Sequence, residues 1–113
     1  MERILVADIM TRDPVTIGPG ATLLDCAKMM VKKKVGSLLI SHGKKLLGFV
    51  AEKDILWAMI KKSKDDLSKI IALDIAPRKI ATINPFVSVK EAVKKMKKLK
   101  FERLPVIHNG ELV

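Results

Sequence analysis

Apolar positions follow two different periods that alternate along this chain. Between residues 22 and 33, and again between 88 and 99, apolar residues recur every three or four positions. That spacing places them on one face of an α-helix. Short aliphatic and β-branched runs, bounded by Gly, Pro or Asn, precede and follow both segments, and such runs favour β-strands. The pattern predicts short strands that alternate with amphipathic helices.

Both predicted helices begin with the same signal. Thr22 stands three residues before Asp25, and Ser88 stands three residues before Glu91. This is the spacing of a capping box, in which the hydroxyl accepts an amide hydrogen and the carboxylate reaches back to the amide of the cap residue. We therefore expect helices to begin directly after Thr22 and Ser88.

The chain matches itself without a gap when it is shifted by 66 residues. Thr16-Ile17-Gly18-Pro19 then faces Thr82-Ile83-Asn84-Pro85, and His42 faces His108. Self-similarity at a fixed period is typical of a repeated structural unit. Each repeat is predicted to be a β-α-β-β-α unit, which makes the fold class α+β. Units of about 50 residues cannot each bury both sheet faces, so we expect them to pack about a pseudo-twofold axis.

The repeat divides the sequence into two domains. We place repeat 1 with its connector at residues 1–66 and repeat 2 at residues 67–113. Val113 faces Leu47, so nothing in the 113 residues faces Gly48–Ile60. We expect the chain to be a fragment in which repeat 2 lacks its last strand and closing helix. The alternative is a naturally short repeat that a partner subunit completes.

The charge of the chain is strongly basic. Lys and Arg number 22 against 12 Asp and Glu, a formal net charge of +10, which suggests a nucleic-acid partner. Aromatic residues make up only 4%, and this argues against a platform on which single-stranded bases stack. The chain also has no Gln and is rich in Lys, a trend of proteins from hot environments. Solvated lysines on the helix faces are therefore an alternative source of the charge.

Other classes of protein fit the composition poorly. The apolar runs are far shorter than the roughly 20 residues of a membrane helix, and the chain opens without a secretion signal. A single cysteine, Cys26, fits a reducing, cytoplasmic location. His42 and His108 lie in predicted turns without Cys, Asp or Glu at ligand spacing, so we expect turn residues rather than a metal site. No catalytic constellation emerges, and we expect no enzymatic activity.

Several linked segments resemble the CBS domain, a small module that usually occurs in tandem pairs. The resemblance covers nearly the whole chain and implies a regulatory module without a required cofactor. Family members bind AMP, ADP or ATP, and less often S-adenosylmethionine or NAD, in clefts between the repeats. They commonly form homodimers and control an enzyme or transporter. The segments are Val6-Ala7-Asp8-Ile9-Met10-Thr11, the two Thr-Ile-x-Pro stretches, Gly36-Ser37-Leu38-Leu39-Ile40, Arg103-Leu104-Pro105-Val106 and Gly48-Phe49-Val50-Ala51-Glu52-Lys53-Asp54.

The resemblance also implies roles for individual residues. Asp54 is expected to accept hydrogen bonds from the ribose hydroxyls, because a carboxylate can accept two such bonds. The alternative role of Asp54 is to cap a helix that starts at Ile55. Ala51 departs from the family, which prefers Thr or Ser there, so one hydroxyl contact is lost. Ser37 offers a hydroxyl at the matching strand position. Arg103 is expected on the ligand phosphates, the alternative being an ion pair with Glu102.

The adenine end of the site is expected to lie along the two Thr-Ile-x-Pro stretches. Recognition there is implied through backbone groups of Val15, Ile17, Ala81 and Ile83, with ordinary strand propensity as the alternative explanation of the two threonines. The predicted ligand-binding set is Val15, Thr16, Ile17, Ser37, Leu38, Ala51, Asp54, Ile80, Ala81, Thr82, Arg103 and Pro105.

Three functions therefore compete at the level of sequence. The first is a module that senses adenine nucleotides and changes its conformation or its dimer arrangement. The second is a basic protein associated with nucleic acid. The third is a structural dimerisation module, which the lost hydroxyl at Ala51 and the absence of a second aspartate keep open.

Overall fold

The structure is a computed structural model that describes residues 4–62, 64–76, 80–101 and 103–113. Helices and strands are mixed along the chain, as the α+β prediction requires. In chain order they are α1 (Val6–Ile9), β1 (Thr16–Ile17), α2 (Leu23–Lys33), β2 (Ser37–His42), β3 (Lys45–Ala51), α3 (Glu52–Lys61), a 3-10 helix (Lys64–Ser68), α4 (Ala72–Ile75), α5 (Val89–Leu99), β4 (Ile107–His108) and β5 (Glu111–Leu112).

The chain forms two compact units. Val15–Ile80 make up the first, which we call the central unit. Met1–Pro14 and Ala81–Val113 together make up the second, which we call the terminal unit. These spatial units are not the sequence repeats 1–66 and 67–113, because the start of each repeat belongs to the unit that the other repeat mainly builds. The repeat boundaries remain a description of the sequence.

The central unit is built on a three-stranded sheet of order β1-β2-β3. β1 runs parallel to β2, because the helix α2 crosses between them. β2 and β3 form an antiparallel hairpin in which Ser37 pairs with Ala51, and the register shifts between Ile40 and Ser41. The apolar face of α2 covers this sheet together with α3. The buried core consists of Leu23, Cys26, Met30, Leu38, Ile40, Val50, Ile55, Ala58, Leu67 and Ala72.

The terminal unit has a smaller core. Its buried residues are Val6, Ile83 and Ala92, which lie on α1, on an isolated bridge and on α5. Ile83 pairs in parallel with Val106. The apolar run that follows α5 forms a shorter strand than its pattern favours, since β4 begins at Ile107. Pro105 has no N–H to donate to a strand ladder, which is consistent with this late start.

The predicted turn at His108 and the predicted cap at Thr22 are confirmed, and the cap at Ser88 is confirmed in one of its two bonds. Asn109 and Gly110 both have positive φ, at 53° and 77°, as a two-residue Asn-Gly hairpin requires. The Thr22 hydroxyl accepts from the Asp25 amide at 3.1 Å, and the Asp25 carboxylate accepts from the Thr22 amide at 2.9 Å. At α5 the Ser88 hydroxyl accepts from the Glu91 amide at 3.2 Å, which is the first of the two bonds of the motif.

A leading segment completes each unit through equivalent backbone bonds. In the central unit the Leu23 amide donates to the Ile70 carbonyl, and the Ala72 amide donates to the Ala21 carbonyl, both at 2.9 Å. The terminal unit repeats both bonds 66 residues away. There the Val89 amide donates to Ile4, and the Val6 amide donates to Val87, again at 2.9 Å. The segment before each repeat's first strand therefore joins the other repeat's helix.

Candidate ligand-binding site

The sheet of the central unit brings distant candidate residues to one end. Because β1 and β2 are parallel and β3 is antiparallel to them, the starts of β1 and β2 meet the end of β3. The Val15 carbonyl accepts from the Leu39 amide at 3.4 Å, and Ser37 lies opposite Ala51. Ser37 and Ala51 are thus paired directly, and Val15 and Thr16 lie beside Leu39, two residues further along β2.

Asp54 lies at the same end, in the first turn of α3. Its Oδ2 accepts from the Ala51 amide at 2.8 Å, and its side chain is half-buried. The alternative expected from the sequence, Asp54 as the cap residue of a helix that starts at Ile55, is wrong, because α3 already begins at Glu52 and its N-cap is Ala51. Asp54 is the third residue of the helix and reaches back to the amide of the cap residue. A carboxylate has about four lone-pair positions on two oxygens, so the Ala51 bond takes up only part of its accepting capacity. The capping bond fixes the carboxylate beside the sheet end.

The other candidate residues of the central unit differ in the side-chain groups that they could present to a ligand. Ala51 occupies the N-cap of α3 and has no side-chain bond there. Ser37 is half-buried and already takes part in an interaction within the chain. Leu38 is only 1% exposed, so its side chain belongs to the core. Thr16 and Ile17 form β1 and are half-buried, as is Ile80, which closes the central unit.

The terminal unit holds the repeat-related counterparts. The Pro105 carbonyl accepts from the Ile83 amide at 3.0 Å, which brings the segment of Ala81 and Thr82 next to that of Arg103. Pro105 is buried, whereas Arg103 is exposed and interacts within the chain. Arg103 faces Ser37 in the repeat. Glu102, its predicted alternative partner, lies outside the described residues.

Three backbone groups in this second segment already take part in hydrogen bonds. The Ile83 amide donates to Pro105, and the Ile83 carbonyl accepts from the Ile107 amide at 2.9 Å. The Thr82 carbonyl accepts from the Lys95 ammonium group. The Ile83 amide therefore has no hydrogen left for an adenine edge, whereas its carbonyl keeps a second lone pair. Recognition through Ile83 stays a prediction. Lys95 is not among the residues predicted for the site. The residue that it faces in the repeat, Met29, is apolar.

Two groups on α2 have shifted pKa values. Hydrogen bonds from the Thr22 amide and hydroxyl lower the pKa of Asp25, and Lys28 adds a smaller effect in the same direction. Burial raises the pKa of the Cys26 thiol to about 11, and the nearby Asp25 charge adds to this. Cys26 is fully buried and belongs to the core of the central unit.

The histidines lie at hairpins, as predicted. His42 ends β2 and is exposed, and His108 ends β4. The His108 ring meets Phe86 edge to face, with ring centroids 5.1 Å apart. Within the described residues, no group of three or more His, Cys, Asp or Glu is placed to hold a metal ion. In the same part of the chain, no helix is both long and apolar enough to cross a membrane.

Comparisons with known proteins agree with this architecture. The sequence profile of the CBS domain matches residues 6–61 and 71–113. A CBS domain protein of Pyrobaculum aerophilum, solved as a complex with AMP, has 29% identity and a TM-score of 0.86 over 97% of this chain and 84% of its own.

Curated relatives are longer than this chain. An uncharacterized protein of Methanopyrus kandleri is 30% identical over 100% of this chain, which spans 58% of that protein. A homoserine O-acetyltransferase of Methanohalobium evestigatum is 33% identical over 96% of this chain, which spans 21% of that enzyme.

Proposed function

Because this chain belongs to the CBS domain family, we propose that it is a regulatory module that senses an adenine nucleotide, namely AMP, ADP or ATP. The observation that carries the proposal is the Asp54 carboxylate, which accepts a hydrogen bond from the amide of Ala51, the β3 residue that pairs with Ser37. A carboxylate with unused lone pairs suits the vicinal hydroxyls of a ribose, because charge-assisted hydrogen bonds are the stronger kind.

The nucleotide would act by shifting a conformational equilibrium. A ligand favours whichever arrangement of the protein it binds more tightly, and a partner can read that arrangement. The AMP complex of the Pyrobaculum aerophilum relative supports the choice of ligand class. The match within a longer acetyltransferase supports an enzyme as the regulated partner. We further propose a homodimer and a regulatory role without catalysis.

Calorimetric titration of the chain with AMP, ADP, ATP, S-adenosylmethionine and NAD tests the proposal. We expect an adenine nucleotide to bind, and Asp54→Asn to weaken it about tenfold or more, since a hydrogen bond to a charged group contributes about 1.5–3 kcal/mol. Asp25→Asn is the matched control. It removes the charge from an equivalent helix-capping bond, at 2.9 Å from the Thr22 amide, but away from the sheet end.

Two results would overturn the proposal. One is a folded wild-type chain that binds none of the five ligands, which would leave the structural dimerisation module as the better reading if the chain is dimeric by light scattering. The other is equal nucleotide affinity in wild type and Asp54→Asn, which would remove Asp54 as the ribose anchor.

A further inference from the structure

The positive charge of the chain is concentrated in two repeat-related segments. Residues 89–100 hold six lysines against Glu91, a net +5, and residues 23–34 hold four lysines against Asp25, a net +3. Together they account for +8 of the total +10. By contrast, α3 balances two lysines with Glu52 and Asp54. The excess positive charge is therefore concentrated in these two segments and is not spread evenly along the chain.

Four of these lysines form a continuous surface on α5. Lys90, Lys94 and Lys98 follow one another at intervals of four residues, about 6 Å apart along the helix axis, and Lys97 lies beside them. All four are exposed. We call this set the α5 lysine stripe. On the opposite side of the helix Ala92 is 9% exposed and packs in the core of the terminal unit.

The stripe is not neutralised within the chain. In residues 4–62, 64–76, 80–101 and 103–113, Lys90, Lys94, Lys97 and Lys98 make no ion pair or side-chain hydrogen bond. Lysines enriched for thermal stability are typically organised into ion-pair networks, which these are not. Like charges spaced four residues apart also destabilise a helix, so a polyanion that covers the stripe would relieve a local cost.

The internal repeat supplies a comparison. Lys94 and Lys98 face Lys28 and Lys32, which is the basic pattern shared by both repeats. Lys90 and Lys97 face Leu24 and Val31. The four-lysine stripe is therefore found on α5 only, because two of its lysines have apolar counterparts on α2.

We propose that the α5 lysine stripe binds the phosphate backbone of a double-helical nucleic acid without reading its sequence. Lysines act as point charges that position a backbone rather than identify a base. A membrane surface fits less well, because a helix that lies in a bilayer interface must bury its apolar face in lipid, whereas Ala92 on that face is packed inside the unit. Single strands fit less well because the chain has few aromatic residues for stacking.

Fluorescence anisotropy with a labelled duplex of about 20 base pairs, as DNA and as RNA, tests this surface between about 50 and 200 mM salt. The test variant combines Lys90→Gln, Lys94→Gln and Lys98→Gln; Gln and Lys have similar helix propensity. The control combines Lys45→Gln, Lys61→Gln and Lys62→Gln, three exposed lysines outside α5. Both variants lower the net charge equally.

We expect the stripe variant to bind DNA at least about tenfold more weakly at the higher salt. The slope of log K against log salt should fall by about 2.7, from about 0.9 per lost phosphate contact. The control should stay within about twofold of wild type. If the triple variant does not fold by circular dichroism, Lys97→Gln with Lys98→Gln tests the same stripe.

Three results would overturn the assignment: no wild-type binding to either duplex at the higher salt, an equal loss in both variants, or binding to anionic phosphatidylserine vesicles with none to the duplexes. Retained nucleotide affinity in the stripe variant would keep this question separate from the site around Asp54.

Discussion

Three aspartates occupy the same position relative to the start of a helix. Asp8, Asp25 and Asp54 each accept, through Oδ2, from the amide three residues earlier, at 2.8, 2.9 and 2.8 Å. In α2 the cap residue is Thr22, whose hydroxyl accepts a second hydrogen bond, from the Asp25 amide. In α3 the cap residue is Ala51, whose side chain cannot accept such a bond. Asp54 therefore makes the usual capping bond, but its partner Ala51 has no hydroxyl to make the second bond of the motif.

Asp25 should make stability depend on pH in the acid range. Its pKa in the folded protein lies below the ordinary value of 3.8, so the ionised form is favoured by folding. Its contribution is present above about pH 4 and is lost as the pH falls through the lowered pKa. Urea denaturation should show wild type more stable than Asp25→Asn at pH 6, with the difference shrinking toward pH 2.5. A difference that is constant with pH would contradict this.

Residue-scale predictions succeed where the information is local. The Thr22 cap follows from spacing along one helix start. The start of α3 was predicted too late, because Ala51 gives no cap signal in the sequence and Asp54 does. The bond from Lys95 to the Thr82 carbonyl joins residues 13 positions apart, and the occupied Ile83 amide depends on pairing with a separate segment. Such contacts depend on tertiary packing, so the sequence motif could not reveal them.

At the scale of elements, α4 packs over β3 at a residue without a side chain. A Cβ at Gly48 would lie 3.0 Å from Leu73 Cδ1, 3.2 Å from the Ala76 Cβ and 3.2 Å from Ile40 Cδ1. Gly48 also pairs with Ile40 immediately before the register shift of the hairpin. The glycine thus permits the close approach of helix and strand.

Gly48→Ala should destabilise the chain by about 1–3 kcal/mol, the usual cost of overpacking a filled core. Gly20→Ala is the control, because nothing lies within 4 Å of the position its Cβ would take. That change should be neutral or stabilise by up to about 1 kcal/mol through the unfolded state. Urea unfolding of both variants measures the difference. Equal stability of the two would show that α4 does not press on β3.

Helix prediction was more accurate than strand prediction. The period of apolar residues and the caps located α2 and α5 correctly, because both signals lie within one helix. The strand expected at 81–83 is a single bridge at Ile83, since a strand forms only to the length that its partner can pair. The charged segment after α3 contains the 3-10 helix Lys64–Ser68, whose Leu67 is buried in the central core.

At the scale of the whole molecule, the start of the chain contributes to the unit built by its end. Val6 is 7% exposed and shares a core cluster with Ile83 and Ala92. The Ala7 amide donates to the Pro85 carbonyl at 2.8 Å. A substitution near the start of repeat 1 should therefore destabilise the terminal unit, which repeat 2 mainly builds.

Val6→Ala tests this exchange. Removing its two methyl groups should cost about 1–2 kcal/mol, and amide hydrogen exchange should speed up in residues 81–113 more than in 15–62. Val50→Ala makes the same chemical change in the central core, where Val50 is 1% exposed, and should give the reverse pattern. Faster exchange in 15–62 alone after Val6→Ala would contradict the exchange of segments.

The exchanged segments also determine where this protein can sensibly be divided. A cut at the repeat boundary would sever Ile70 and Ala72 from Leu23 and Ala21, to which their backbones are bonded. It would also remove Leu73 and Ala76 from the strand face around Gly48. The continuous stretch that keeps all of these bonds is Val15–Ile80. A fragment that keeps these contacts therefore starts inside one repeat and stops inside the next.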